Sequence, residues 1–517
     1  MVADEISVRK GLPKGRVAGV CLHLTSLPGI YGIGEIGDNA KRFIDTMKEM
    51  QLAVWQFLPT GPTAYGDSPY QPLSTFAGNE MLIDVAGLIR LGLITSVEAD
   101  SLITLPEAHV DYGRLIPKKE ALLKRAAGRF DALASEPIRQ AYRDFLEEND
   151  RGWLHDYALY RVLKAHHSQR PWPEWEARYR SRDGQALGEV ERSHAAELAS
   201  VKITQFLFDL QWQDLRRYAA HNQVHLFGDM PIYIALDSAD AWAHPEILRI
   251  DRDGVPTHVA GVPPDYFSED GQLWGNPLYD WDYHARTGYS WWIERLRAAA
   301  RLVDIVRIDH FRGFESFWEI PFGAETARDG RWVPGPGDGI FQALREALGE
   351  LAIVAEDLGV ITREVEQLRD RYRLPGMRVL QFELADAAFS IGDIQGNCVC
   401  YTGTHDNDTT LGWFMGSPGD MRSQDEIIRT QEMVLAKTGG TVNSVASDLI
   451  RIALSSAARM AMAPMQDYLS LGSGARMNVP GTSSHNWRWR ILDSQITPGL
   501  CESISKMVEA SGRGPAD

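Results

Sequence analysis

Leu302-Val303-Asp304-Ile305-Val306-Arg307-Ile308-Asp309-His310-Phe311-Arg312-Gly313-Phe314 decides the fold. Its apolar first half reads as a buried strand, and the two-residue alternation of a strand puts Arg307 and Asp309 on one face at its end. Two more strands end in acids: Leu351-Ala352-Ile353-Val354-Ala355-Glu356-Asp357-Leu358-Gly359 and Cys398-Val399-Cys400-Tyr401-Thr402-Gly403-Thr404-His405-Asp406-Asn407. Further short, β-branched runs each lead through turn residues into a helical pattern, which is how repeated βα units around a parallel sheet read. Strands are expected near residues 17–24, 53–58, 224–235, 303–309, 351–356, 377–383, 398–404 and 461–469. Eight strands close a (β/α)8 TIM barrel. The expected fold class is therefore α/β, one such barrel with large helical and loop insertions and no separate C-terminal β-domain.

The 517 residues fit a single catalytic barrel over 1–517, since barrels with insertions commonly exceed 400 residues. Residues 85–222 are rich in helix formers with apolar residues at helical spacing, such as Ile138, Tyr142, Phe145 and Leu146, and read as a mainly helical insertion. Pro171-Trp172-Pro173 breaks it in two. Residues 237–290 read as a loop-rich lid insertion, because Gly261-Val262-Pro263-Pro264 and Gly271-Gln272-Leu273-Trp274-Gly275-Asn276-Pro277 are dense in turn formers.

A net charge of −17 and the lack of a Lys/Arg cluster exclude an extended nucleic-acid surface. Four cysteines without Cys-x-x-Cys spacing read as reduced thiols and not as a metal site. The N-terminus has no apolar signal core and no apolar run is long enough to span a bilayer, so no membrane association and a cytoplasmic location are expected.

In parallel barrels the C-terminal strand ends carry the catalytic groups, which is where Asp309, Glu356 and Asp406 fall. Carboxylates converging there suit glycosidic-bond chemistry. Retaining cleavage uses one as nucleophile and a second, protonated one as general acid about 5–5.5 Å away. Arg307 beside Asp309 is expected to lower its pKa and keep it ionised as nucleophile. Glu356, following an apolar run, is expected to be partly desolvated and protonated, as general acid. Asp406 is then left to bind sugar hydroxyls and favour the distorted ring of the transition state. Each also has a structural reading: an ion pair, a solvated strand end and an Asx turn. Tyr70 on the loop after the second strand and Trp274 in the lid offer rings to sugar faces, with rim packing as the alternative. Gly32-Ile33-Gly34-Glu35-Ile36-Gly37 and Gly335-Pro336-Gly337-Asp338-Gly339 lack the spacing of nucleotide-binding loops and read as turns.

Six segments together resemble the 4-α-glucanotransferases called amylomaltases or disproportionating enzymes, distant relatives of the α-amylases: His23-Leu24-Thr25-Ser26-Leu27-Pro28-Gly29, Tyr65-Gly66-Asp67-Ser68-Pro69-Tyr70-Gln71, Gly228-Asp229-Met230-Pro231-Ile232, Val306 to Gly313, Ala355 to Gly359, and Gly403-Thr404-His405-Asp406-Asn407-Asp408-Thr409. The resemblance implies transfer of an α-1,4-glucan segment to the 4-hydroxyl of another glucan through a covalent glucosyl-enzyme. It implies Asp309 as nucleophile, Glu356 as acid/base and Asp406 as transition-state stabiliser, with Arg307, His405, Tyr70, Asp229 and Trp274 contacting substrate. Tyr65 matches a tyrosine of a second glucan site. The resemblance implies no metal or organic cofactor, and maltooligosaccharides and starch- or glycogen-type glucans as partners. One departure is His485, where the family carries a small residue before Asn486-Trp487-Arg488-Trp489-Arg490, and that loop is assigned no binding role.

Overall fold

The computed structural model describes residues 11–264, 269–417, 420, 422–482 and 484–514, the side chain of Tyr65 apart. Twelve strands run in chain order: β1 Val17–Cys21, β2 Val54–Gln56, β3 His225–Met230, β4 His258–Val262, β5 Gln272–Pro277, β6 Ile305–Ile308, β7 Ser316–Pro321, β8 Arg331–Pro334, β9 Ile353–Ala355, β10 Gly376–Val379, β11 Cys398–Tyr401 and β12 Met460–Pro464. Eight of them form one parallel sheet in the order β10-β11-β12-β1-β2-β3-β6-β9. The Ala355 N–H donates to the Pro375 carbonyl at 2.9 Å and brings the two ends of that order together. The result is a (β/α)8 barrel, with each expected strand present and shorter than its apolar run.

Alternation along the strands separates two cores. Ile305 faces the barrel interior with Val17, Val54, Phe227, Val354 and Met460, while Val306 and Ile308 face the surrounding helices. The same alternation turns Arg307 inward, where its side chain is 5% exposed. Gly19 lets β1 lie between its neighbours, because a Cβ there would meet the Val54 carbonyl and the Met462 sulfur at 2.5 Å. Outside, the helix Asp38–Glu49 buries Ala40, Phe43, Ile44 and Met47, the i, i+3, i+4, i+7 stripe of an amphipathic helix.

Residues 85–222 contain eight α-helices among the described residues, ending in the 27-residue helix Ala195–His221. That helix docks on the barrel through Trp212, whose ring meets Phe57 edge-on at 5.7 Å and whose indole N–H donates to the Leu302 carbonyl.

Residues 237–290 differ from the loop-rich expectation. They hold the helices Ala239–Ala243 and Trp281–Arg286, and β4 and β5 pair antiparallel with each other. With β7 and β8, which follow β6, they form a second sheet in the order β5-β4-β7-β8. No helix among the described residues is long and apolar enough to cross a membrane.

Candidate active site

The carboxylates meet at the C-terminal mouth of the barrel because the strand register brings them there. Asp229 on β3 pairs in register with Arg307 on β6, and Ile308 pairs with Ala355 on β9. Asp309 and Glu356 are each the next residue, so they leave neighbouring strand ends side by side. The ladder continues past the strand ends to hold them. The Asp309 N–H donates to the Met230 carbonyl, Glu356 N–H to Ile308, and Phe311 N–H to Glu356, all at 3.0 Å.

Between them the chain turns through His310, which adopts the left-handed conformation at φ 51°, ψ 51°. A non-glycine residue held there stores of order 1–3 kcal/mol, and the turn shows what that strain achieves. It aims the His310 N–H at one Glu356 carboxylate oxygen (2.7 Å), while the Leu358 N–H reaches the other (2.8 Å). Both oxygens of Glu356 are thereby fixed.

A single chain of polar contacts joins the remaining groups. Arg307 reaches Asp309 at 3.0 Å and Asp229 at 2.5 Å. The Tyr70 hydroxyl donates to the same Asp229 oxygen at 2.6 Å and meets His405 Nε2 at 2.8 Å. His405 Nε2 also lies 3.3 Å from Asp406. Since Tyr70 donates to Asp229, its oxygen accepts from His405, which assigns the Nε2–H tautomer. The Tyr70 and His405 rings stack at 5.2 Å and 15°. Asn478 Nδ2 donates to Asp406 at 2.6 Å, and Arg476 donates to the Asp406 carbonyl at 2.7 Å.

Electrostatics follow from burial and crowding. Burial pushes the Asp309 carboxyl well above the usual range; Arg307 opposes, and Asp229, Glu356 and Asp406 push it further up. This overturns the expectation that Arg307 lowers the Asp309 pKa and keeps it ionised: burial outweighs the guanidinium, and several carboxylates share it. Glu356 is raised as expected, by desolvation first, with Arg307 and its two backbone donors opposing. Burial lowers His405, keeping it neutral, and raises Tyr70, keeping its proton.

Trp274, on β5, is half-buried and sits edge-on to His310 at 4.8 Å, so the second sheet delivers a ring next to Asp309. Two buried polar atoms here have no partner among the described residues, Asp229 Oδ1 and His310 Nε2. A cavity of about 670 Å³, open solvent included, lies against Arg307, His405, Met377 and Asn407. Asp309, Glu356, Asp406, Arg307, Asp229, Tyr70, His405 and Trp274 thus converge on one mouth. Tyr65 lies in the turn Tyr65–Asp67, its side chain outside the described residues, as is Phe267 of the expected lid.

Sequence reasoning passed over Trp487. The loop given no binding role places this ring 5.9 Å from Tyr70 and 6.1 Å from His405. Trp487 has φ 62° and His485 φ 66°. Two bulky residues in the left-handed region beside a cleft are a functional signal visible only in the backbone.

A family model described as 4-alpha-glucanotransferase matches residues 22–495. A 4-alpha-glucanotransferase of Thermus thermophilus is 46% identical over 506 residues, covering 96% of this chain and 99% of the relative. A chloroplastic/amyloplastic 4-alpha-glucanotransferase of Solanum tuberosum is 40% identical over 95% of this chain and 85% of its own. Among solved structures, the amylomaltase of Streptococcus agalactiae in complex with acarbose superposes with a TM-score of 0.91 at 34% identity, covering 96% of this chain and all of that one. The chain belongs to the 4-alpha-glucanotransferase family.

Proposed function

We propose that Asp309, Glu356 and Asp406 carry out the transfer of α-1,4-glucan segments by retaining double displacement. A carboxylate oxygen of Asp309 attacks the anomeric carbon; the glycosidic C–O bond breaks, and the Glu356 proton passes to the departing O4. Glu356, now ionised, takes the proton of an acceptor 4-hydroxyl as that oxygen attacks the same carbon and Asp309 leaves. Two inversions give net retention.

The observation that carries this reading is the placement of Asp309 and Glu356 directly after the paired residues Ile308 and Ala355 that end two neighbouring strands. Neighbouring strand ends bring the two carboxyls to one sugar, as a retaining pair requires. Asp229 and Tyr70 offer polar atoms to sugar hydroxyls, the unpartnered Asp229 oxygen in particular. Arg307 and His405 contact the same sugar, and Trp274 supplies a ring at its edge. Asp406, 48% exposed and held by Asn478, faces the cleft and favours the flattened ring of the transition state. Tyr65 marks a second glucan site on the loop whose other end carries Tyr70.

The substrates in this reading are maltooligosaccharides and starch- or glycogen-type glucans. The free Cys21, Cys398, Cys400 and Cys501 fit a reducing, cytoplasmic setting. Incubation of the pure protein with maltotriose tests the transfer: glucose plus oligomers longer than maltotriose are expected. Glucose and maltose alone would reject it.

A further inference from the structure

Away from the barrel mouth, the helical insertion gathers two imidazoles around one carboxylate. His194 Nδ1 lies 2.7 Å from Glu197 Oε1, and His166 Nε2 lies 3.2 Å from Glu197 Oε2. The two rings are 4.2 Å apart at 54°. One ligand atom from each residue fits within 4.8 Å of the others, the one such His/Cys/Asp/Glu grouping among the described residues. His166 closes the helix His155–His166, while His194 and Glu197 begin the helix Ala195–His221 that packs beside it.

We propose that His166, His194 and Glu197 form a binding site for an imidazole-seeking divalent ion of the zinc class. Zinc bonds to histidine nitrogen at about 2.0–2.1 Å and to carboxylate oxygen at about 2.0–2.2 Å, which sets tetrahedral ligand atoms roughly 3.4 Å apart. The two His–Glu197 separations, 2.7 and 3.2 Å, lie within about 1 Å of that spacing, and the two imidazoles, within 4.8 Å of each other, close on the ion by side-chain rotation.

The donor set selects the metal. Two imidazoles with one carboxylate suit zinc, copper or nickel, whereas magnesium and calcium want oxygen cages. The side chains are 45%, 30% and 51% exposed, so an ion enters from solvent and keeps water in its fourth position. Loaded, the ion ties the two helices together. Its role is to clamp the insertion, and it takes no part in glucan transfer.

The test uses the full-length protein, stripped of metal, in calorimetric titration and equilibrium dialysis against Zn²⁺. About one Zn²⁺ per chain is expected, with at least tenfold weaker uptake in His166→Ala and in His194→Ala. Zn²⁺ should raise the melting temperature of the wild type and not of the double variant. His155→Ala, which alters a neighbouring His–Glu contact (3.0 Å to Glu191), should bind as the wild type does. Unchanged glucan transfer in both single variants would establish that they are folded. No stoichiometric uptake by the wild type, or equal uptake by the double variant, would overturn the assignment.

Discussion

Replacing Arg307 by methionine removes the one guanidinium in direct contact with both Asp229 and Asp309. The Arg307 nitrogen and Asp309 oxygen are 3.0 Å apart, which places the charge centres about 4 Å apart. At an effective dielectric of about 20 their attraction is about 4 kcal/mol. Asp309 is 29% exposed, and solvent screening reduces this to about 1–3 kcal/mol. The sign follows from the direction already present: the Asp309 carboxyl lies above its usual range with Arg307 opposing the rise, so deleting Arg307 lifts it further. A nucleophile must be ionised. The acid limb of kcat/KM should therefore move to higher pH by about one or two units, with an additional loss of about 100-fold from misplacement of the reacting carboxylate. The assay is the initial rate of glucose release from maltotriose across pH. Arg307→Lys keeps the charge but not the planar fork, so it should restore much of the acid limb while kcat stays low. Asp229 is 1% exposed and loses its cation too, and the Arg307→Met/Asp229→Asn pair separates misfolding from electrostatics. An acid limb at the wild-type pH in a folded Arg307→Met protein would refute the reasoning.

Glu356→Gln should lower kcat by about 10²–10⁴ with little change in substrate binding, since an amide cannot hand over a proton. Because both Glu356 oxygens accept backbone N–H groups, the new NH₂ must face one of those donors, and chemical denaturation should register a stability loss of about 1–3 kcal/mol. Lys119→Met tests the scaffold: Lys119 and Glu35 form an ion pair with side chains 0% and 1% exposed, so removing one partner should cost about 3–5 kcal/mol. The double variant Lys119→Met/Glu35→Gln should recover much of that, as read by urea unfolding.

The eight barrel strands were legible because parallel strands covered on both sides read as near-continuous apolar runs. Arg307 and Asp309 could be placed on one inward face from alternation alone, and Glu356 from its position after Ile353-Val354-Ala355. The second sheet was not legible. Its strands carry Gly and Pro within and beside them, and β4 pairs with β7 across a gap that contains a whole barrel strand. The same non-locality hid Trp487, which reaches Tyr70 from far along the chain. It also explains the pKa expectation at Asp309: adjacent sequence reveals the cation two residues away, while the opposing carboxylates arrive from β3, β9 and the end of β11.

That crowding bears on how the proposed roles work together. Four acids, Asp229, Asp309, Glu356 and Asp406, gather near one guanidinium; burial raises both Asp309 and Glu356, and at Asp309 the other three carboxylates add to the rise. The transition state of glycosidic cleavage carries positive charge on the sugar ring. A field that is unfavourable to ionised carboxylates alone is favourable to that charge when it develops, and its orientation is set beforehand by the ladder, the His310 turn and the Arg307–Asp229–Tyr70–His405 chain. Such pre-set electrostatics lowers a barrier because no groups need to reorganise at the moment of reaction. The strain at His310 and the repulsion among the acids are then the folded-state cost of the same geometry that stabilises the transition state. Substitutions that relax either without leaving a buried donor or acceptor unpaired should raise stability and lower kcat together, which sets them apart from Glu356→Gln, where a new NH₂ faces a backbone donor.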